Sequence, residues 1–266
     1  MARLPALFVT HGGGPCFWMS FPEPLGPHAF DKLGTYFEGV LGGLPERPKA
    51  VLVITAHWEE ALVTISTATR PPMLFDYYGF PPHTYELSYP APGSPDLAER
   101  VRSLLAGAGI DSAADDQRGF DHGVFVPMLK IDPEARLPVV MMSLRGYLDP
   151  AFHLALGAAL APLRDEGVLI VCSGSSFHNL RTYFNGAAES AQAFDDWLTE
   201  TVTGTEQRES RLIGWSAAPA AQDCHPRAEH LLPLMVAAGA ARNEPGRRVF
   251  HDVIGGKAMS GYAFGA

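Results

Sequence analysis

The sequence predicts an α/β fold, a three-layer sandwich with a central, mostly parallel (mixed) sheet flanked by helices, in a single domain over residues 1–266. Three observations carry that expectation. Four short segments are apolar throughout, without polar alternation. Helix-start signals fall between such segments. No repeat, low-complexity tract or linker divides the chain, whose 266 residues suffice for one large core.

Taken in order, residues 5–10 (PALFVT) form the first expected strand. Residues 12–28, rich in Gly, Pro and aromatics, break the rhythm. Residues 50–56 (AVLVITA) and 62–67 (LVTIST) are the next strands. Residues 70–95 are too proline-dense for a helix or a central strand. A loop this long in a compact domain suits a binding wall, and Phe75, Tyr77, Tyr78, Phe80, Tyr85 and Tyr89 suit an aromatic one. Tyr77, Tyr78 and Phe80 are the expected substrate contacts. Ser94-Pro95 then opens a helix, with Ser as cap and Pro in the first turn, running through Leu97, Val101, Leu104 and Leu105. Asp121-His122-Gly123 opens another, GVFVPMLKI. Residues 138–143 (PVVMMS) make a strand, and Asp149-Pro150 starts a helix reaching about Leu163. Residues 168–172 (VLIVC) make a strand, 187–202 and 231–241 helices, and 248–254 a late strand.

Twenty basic residues against 29 acidic ones give a net charge of −9, which disfavours nucleic-acid or anionic-membrane partners. Cys16, Cys172 and Cys224 form no CxxC pair and no disulfide framework, pointing to a reducing cytoplasm, with Cys172 a core thiol. The apolar run near the start is broken by Pro5 and ends at His11, unlike a signal peptide, and no stretch is long enough to span a bilayer.

Several of the ten histidines sit where strands should end. His11 follows the first strand, His57 the second, and His178 lies just beyond VLIVCSGSS. Ligands of open α/β sheets bind beyond the carboxyl ends of strands, so these imidazoles can converge on one point. Imidazole suits zinc and ferrous iron. A hydrogen-bonded core histidine is the alternative at each position. Asp121-His122 reads equally as a helix cap with a passenger or as an acid holding an imidazole in place. Glu229 and His230 precede a helix whose Pro233 fits its first turn, so Glu229 could cap there, and His225 could be a surface turn. H-E-x-x-H, H-x-x-E-H, G-x-S-x-G and a P-loop are absent, and the glycines after His11 are not G-x-G-x-x-G.

ALFVTHGGGP, PKAVLVITAHWE, PPMLFDYYGFPPHTYELSYPAPGSP, RGFDHGVFVPML, APLRDEGVLIVCSGSSFHNLR, FDDWL and HPRAEHLLPLMVAAGA occur in this order across nearly the whole chain. Together they resemble the LigB-type (class III) extradiol ring-cleavage dioxygenases, most closely the DOPA 4,5-dioxygenase-like branch. The resemblance implies that His11, His57 and His230 bind a metal, with Glu229 as reserve ligand. It places His178 there as acid/base, or as fourth ligand when zinc occupies the site, and His122 beside substrate or dioxygen. Protocatechuate-cleaving relatives use two histidines and a glutamate, where this chain has His230. HGGGP stands where many branch members have HGSP, a departure beside His11. The implied reaction inserts dioxygen into the ring of a catechol to give a muconic semialdehyde, with Fe(II) for activity and Zn(II) the expected occupant of purified protein. Arg181 is a candidate for a substrate carboxylate. Catechol and dioxygen are the expected partners, and a homodimer is the base-rate assembly. A zinc hydrolase on this scaffold and a non-enzymatic Memo-like metal-binding protein are the competing readings.

Overall fold

A computed structural model describes residues 2–23, 25–183 and 186–265. Its eight strands are β1 (Ala6–Thr10), β2 (Ala50–Glu60), β3 (Val63–Ser66), β4 (Ser112–Asp115), β5 (Val139–Arg145), β6 (Val168–Gly174), β7 (Gly246–Ile254) and β8 (Lys257–Phe264). They form one sheet in the order β4-β3-β5-β2-β6-β1-β8-β7. The central β5-β2-β6-β1 are mutually parallel, and they are the four wholly apolar segments of the sequence. Covered on both faces, such strands have no use for polar alternation. Antiparallel pairs of β3 with β5, β8 with β1 and β7 with β8 make the sheet mixed.

The helices flanking the sheet are α1 (Asp31–Gly39), α2 (Pro95–Gly107), α3 (His122–Ile131), α4 (Pro150–Leu160), α5 (Ala188–Thr203), α6 (Arg208–Ile213), α7 (Ala221–Cys224) and α8 (Leu232–Ala241). Both expected caps form: Ser94 Oγ accepts from the Leu97 N–H at 3.3 Å, and the Asp149 carboxylate from Phe152 at 2.6 Å. α4 stops at Leu160 and tightens into a 3₁₀ turn through Arg164, short of the expected helix through Leu163. Every residue of α8 is buried, between α4 and the central strands. All three cysteines are buried free thiols. Among the described residues, no helix is long and apolar enough to cross a membrane.

At the amino end of the sheet lies a fully buried cation, Arg164. A guanidinium carries five N–H donors, and here each has an acceptor. Nε donates to the Leu4 carbonyl at 2.6 Å. Nη1 donates to the Ala240 carbonyl and Glu244 at 2.9 and 3.0 Å. Nη2 donates to Glu244 and the Phe264 carbonyl at 2.7 and 3.2 Å. One side chain thus ties the chain entering β1, the end of α8 and the end of β8 together.

Candidate metal centre

β2, β6 and β1 are neighbours in the sheet, so their carboxyl ends open onto one place. His11 follows β1 directly. His57 was expected just after its strand; instead β2 runs on to Glu60, with a register shift against β5 between Ile54 and Glu59. The irregular extension carries His57 past Thr55, where pairing with β6 ends. His178 lies in the loop after β6, its N–H bonded to the Cys224 carbonyl at 2.9 Å. His230 lies in the turn before α8, and its carbonyl accepts from the Ser175 N–H at 2.9 Å. His122 opens α3. A side chain at Gly123 would stand 2.8 Å from Thr55 Oγ1 and 2.9 Å from the His57 ring, so glycine is what lets α3 reach β2.

Five imidazoles gather. Ring centres are 4.9 Å apart for His11 and His57, 4.9 Å for His57 and His230, and 4.0 Å for His57 and His122. His11 stands 5.4 Å from both His122 and His230. His178 stacks on His230 at 3.3 Å. His11 Nε2 and His57 Nε2 are 3.1 Å apart. Two nitrogens each about 2.0–2.1 Å from one ion stand roughly 3–3.5 Å apart, so this spacing fits two ligands of a single metal.

Carboxylates fix which nitrogen faces inward. Glu229 Oε1 lies 3.0 Å from His230 Nδ1 and 3.4 Å from His178 Nδ1. Asp76 Oδ1 accepts from His122 Nδ1 at 2.8 Å and from its backbone N–H at 2.9 Å, while Oδ2 lies 3.5 Å from His57 Nδ1. A carboxylate can only accept, so His122 and His230 donate to it through Nδ1. His230 Nε2 is buried without a hydrogen-bond partner. A bare, buried acceptor is costly, and a metal ion would satisfy it.

His11 reaches the same tautomer by a longer route. Pro127 lies inside α3 and has no N–H to donate to the carbonyl of Gly123, four residues earlier. Ser173 Oγ donates there instead, at 2.5 Å. Its only proton thus committed, Ser173 accepts from His11 Nδ1 at 3.1 Å, which leaves His11 Nε2 unprotonated.

The electrostatics agree. Burial, with the neighbouring imidazoles, holds His11 and His57 well below the usual histidine range, and burial pushes His230 down to about 3. Burial works against a charge on Glu229, but hydrogen bonds from His178 and His230 outweigh it and hold the carboxyl below its usual range. Asp76 is lowered in the same way, burial being outweighed by His122. Neutral imidazoles backed by ionised carboxylates are the donor set a divalent ion requires.

The cluster floors a cavity of about 770 Å³. Tyr77 and Phe80 line it. Tyr78 does not: its side chain is turned outward and 91% exposed. Nor does Arg181, which is exposed, its backbone N–H bonded to Asn179 Oδ1. Glu229 does not cap α8, whose start has no side-chain cap, because its carboxylate serves the two histidines. Asp121 occupies the cap position of α3, yet its carboxylate goes to Thr55 at 2.9 Å and Arg118 at 3.1 Å. His225 is no surface turn; it is buried, bonded to the Ser176 carbonyl at 3.0 Å. Asp76 and Ser173 are the contributors that sequence reasoning missed. Both lie inside segments that carry the family resemblance, yet no spacing pairs them with a histidine, and their partners lie 46 and 162 residues away.

The donor atoms of His11, His57 and His122 lie within 4.8 Å of one another, as do those of His178, Glu229 and His230, so this cluster on the cavity floor has the chemistry to hold a metal ion. The chain belongs to the family described as the catalytic LigB subunit of aromatic ring-opening dioxygenase, whose profile matches residues 29–264. It is 42% identical over 224 residues to a 4,5-DOPA dioxygenase extradiol of Beta vulgaris, covering 81% of each chain. It is 39% identical to Dioxygenase tasH of Hapsidospora irregularis, over 95% of this chain and 82% of that one. A crystal structure of an uncharacterized protein of Escherichia coli K12 superimposes with a TM-score of 0.76 at 31% identity, covering 99% of this chain and all of that one. The reaction class is extradiol ring cleavage, an oxidation that incorporates dioxygen.

Proposed function

We propose that the chain is a ferrous extradiol dioxygenase cleaving a catechol, with His11, His57 and His230 holding the metal and His178 and His122 serving the chemistry. The observation that carries this reading is the close Nε2 pair of His11 and His57, 3.1 Å apart, with the buried, unpartnered Nε2 of His230 in the ring packed beside them. Bound Fe(II) would supply adjacent sites for catechol and dioxygen and a route around the spin barrier between them. His178, a quarter exposed and backed by Glu229, accepts a catechol hydroxyl proton. His122, its Nδ1 backed by Asp76 at the edge of the cavity, has its other ring nitrogen free to take up a proton and relay it to the oxygen being inserted. Tyr77 and Phe80 flank the ring and exclude water. Zn(II) fits the same imidazoles and is the expected occupant after aerobic purification.

The test is oxygen uptake by anaerobically prepared, iron-loaded protein given a panel of catechols. Stoichiometric uptake with a yellow, pH-sensitive product is expected. Oxygen-independent ester or amide hydrolysis, with no uptake on any catechol, would replace this reading with the zinc hydrolase.

A further inference from the structure

The cavity above the histidines is far larger than a catechol ring requires. An engineered cavity of about 150 Å³ admits benzene, whereas this one measures about 770 Å³. Beyond the imidazoles, three carboxylates and a few hydroxyls, its walls are mostly hydrocarbon, drawn from four separate segments. Phe21, Leu25 and Phe30 come from the chain between β1 and α1, Phe80 from the loop after β3, Leu180 from the loop after β6, and Met259 from β8. The wall is built tightly on one side: Gly14 has φ +53°, and a Cβ there would stand 2.9 Å from the Phe80 ring. The third glycine of HGGGP thus lets two long loops close on each other.

The charged side chains facing this space are acids. Asp76 is committed to the histidines, and Glu229 is shared between His230, His178 and the Arg227 guanidinium, 3.3 Å from its other oxygen. Glu59 lies at the mouth, gripped through both oxygens by the Arg227 guanidinium at 2.5 Å each. Among the described residues the lining includes no lysine or arginine, and the undescribed positions (Met1, Pro24, Phe184, Asn185 and Ala266) carry no cationic side chain. A substrate carboxylate brought here would be desolvated against hydrocarbon with carboxylates for neighbours.

Resting on the dioxygenase reading above, we propose that the enzyme selects catechols bearing a bulky, uncharged apolar substituent and discriminates against those with an acidic side chain. The diol sits at the imidazoles, and the substituent lies along Phe21, Phe30, Phe80 and Met259 toward Leu180 at the rim.

Binding tests this separately from turnover. Calorimetry on anaerobic, zinc-loaded protein compares 4-butylcatechol with 3-(3,4-dihydroxyphenyl)propanoate and with dopamine. The alkyl catechol should bind about tenfold or more tighter than the acid, the cost of an unpaired buried charge. Leu180→Arg, at a position already 70% exposed, should raise the acid's affinity relative to the alkyl catechol. Equal or tighter binding of the acid to the parent protein overturns the proposal, and loss of that binding in Arg181→Ala would show that Arg181 swings in to meet it. Tighter binding of dopamine than of the alkyl compound also overturns it, since selection would then follow the acids. Oxygen uptake failing on every catechol while the binding order holds would instead remove the dioxygenase reading and leave the apolar specificity standing.

Discussion

Two buried polar clusters stand at opposite ends of the same parallel strands, and they are finished differently. At the amino end all five N–H donors of Arg164 meet an oxygen. At the carboxyl end five imidazoles are oriented through Nδ1 by Asp76, Glu229 and Ser173, while His230 Nε2 meets nothing. The first cluster is complete in the protein alone. The second leaves a buried imidazole nitrogen without a partner in the protein. Burial and hydrogen bonding are common to both; what sets the second apart is an unmatched imidazole nitrogen within a cluster of five imidazoles that opens onto a cavity.

The largest effect should come from breaking the complete cluster. Arg164→Ala strips Glu244 of its buried partner, leaving it Arg3 alone, and removes the donor to three carbonyls, and should cost roughly 3–5 kcal/mol in denaturant unfolding. Metal affinity of the fraction that remains folded should be unchanged. The converse substitution, Glu229→Gln, leaves the folded chain near its parent stability but should weaken metal binding by about 10–100-fold in equilibrium dialysis. Ser173→Ala tests the longer relay from Pro127 through Gly123 to His11. Because it frees His11 to choose its tautomer, metal affinity should fall by about tenfold, the lower end of such outer contacts. Unchanged affinity would show that the relay does not set the ligand nitrogen.

The smallest effect is on acid stability. Burial raises the Glu244 carboxyl, but Arg164 and Arg3 outweigh it and hold it below its usual range. The stabilisation it gives is therefore present above the unfolded value of about 4.3 and is lost as pH falls through the lower folded value. Stability–pH curves of Glu244→Gln should lack that part of the acid-side slope.

Much of this was legible in the sequence. The four parallel strands announce themselves as apolar runs because both their faces are covered. β8 was missed because KAMSGYAF mixes Lys, Ser and Gly into a wholly buried strand, with Lys257 satisfied by the carbonyls of Tyr183 and Gly255. α1 hides behind two glycines, and β4 is four residues of half-exposed edge. That His11, His57 and His178 gather was readable from strand ends, and that His230 joins them from the family resemblance. Asp76 was not, since an acid among tyrosines and prolines says nothing about an imidazole 46 residues on. Tyr78 and Arg181 were chosen by residue type, whereas direction decides; one points to solvent and the other lies outside the cavity wall.

The central claim is that His11, His57 and His230 share one ion. The most direct measurement is metal content per folded chain after anaerobic loading with Fe(II), across the five single histidine-to-alanine variants. One ion is predicted for the parent chain and for His122→Ala and His178→Ala, and none for His11→Ala, His57→Ala and His230→Ala. A folded parent chain that takes up no ion, or a His230→Ala protein that keeps its ion while His122→Ala loses it, would contradict the assignment.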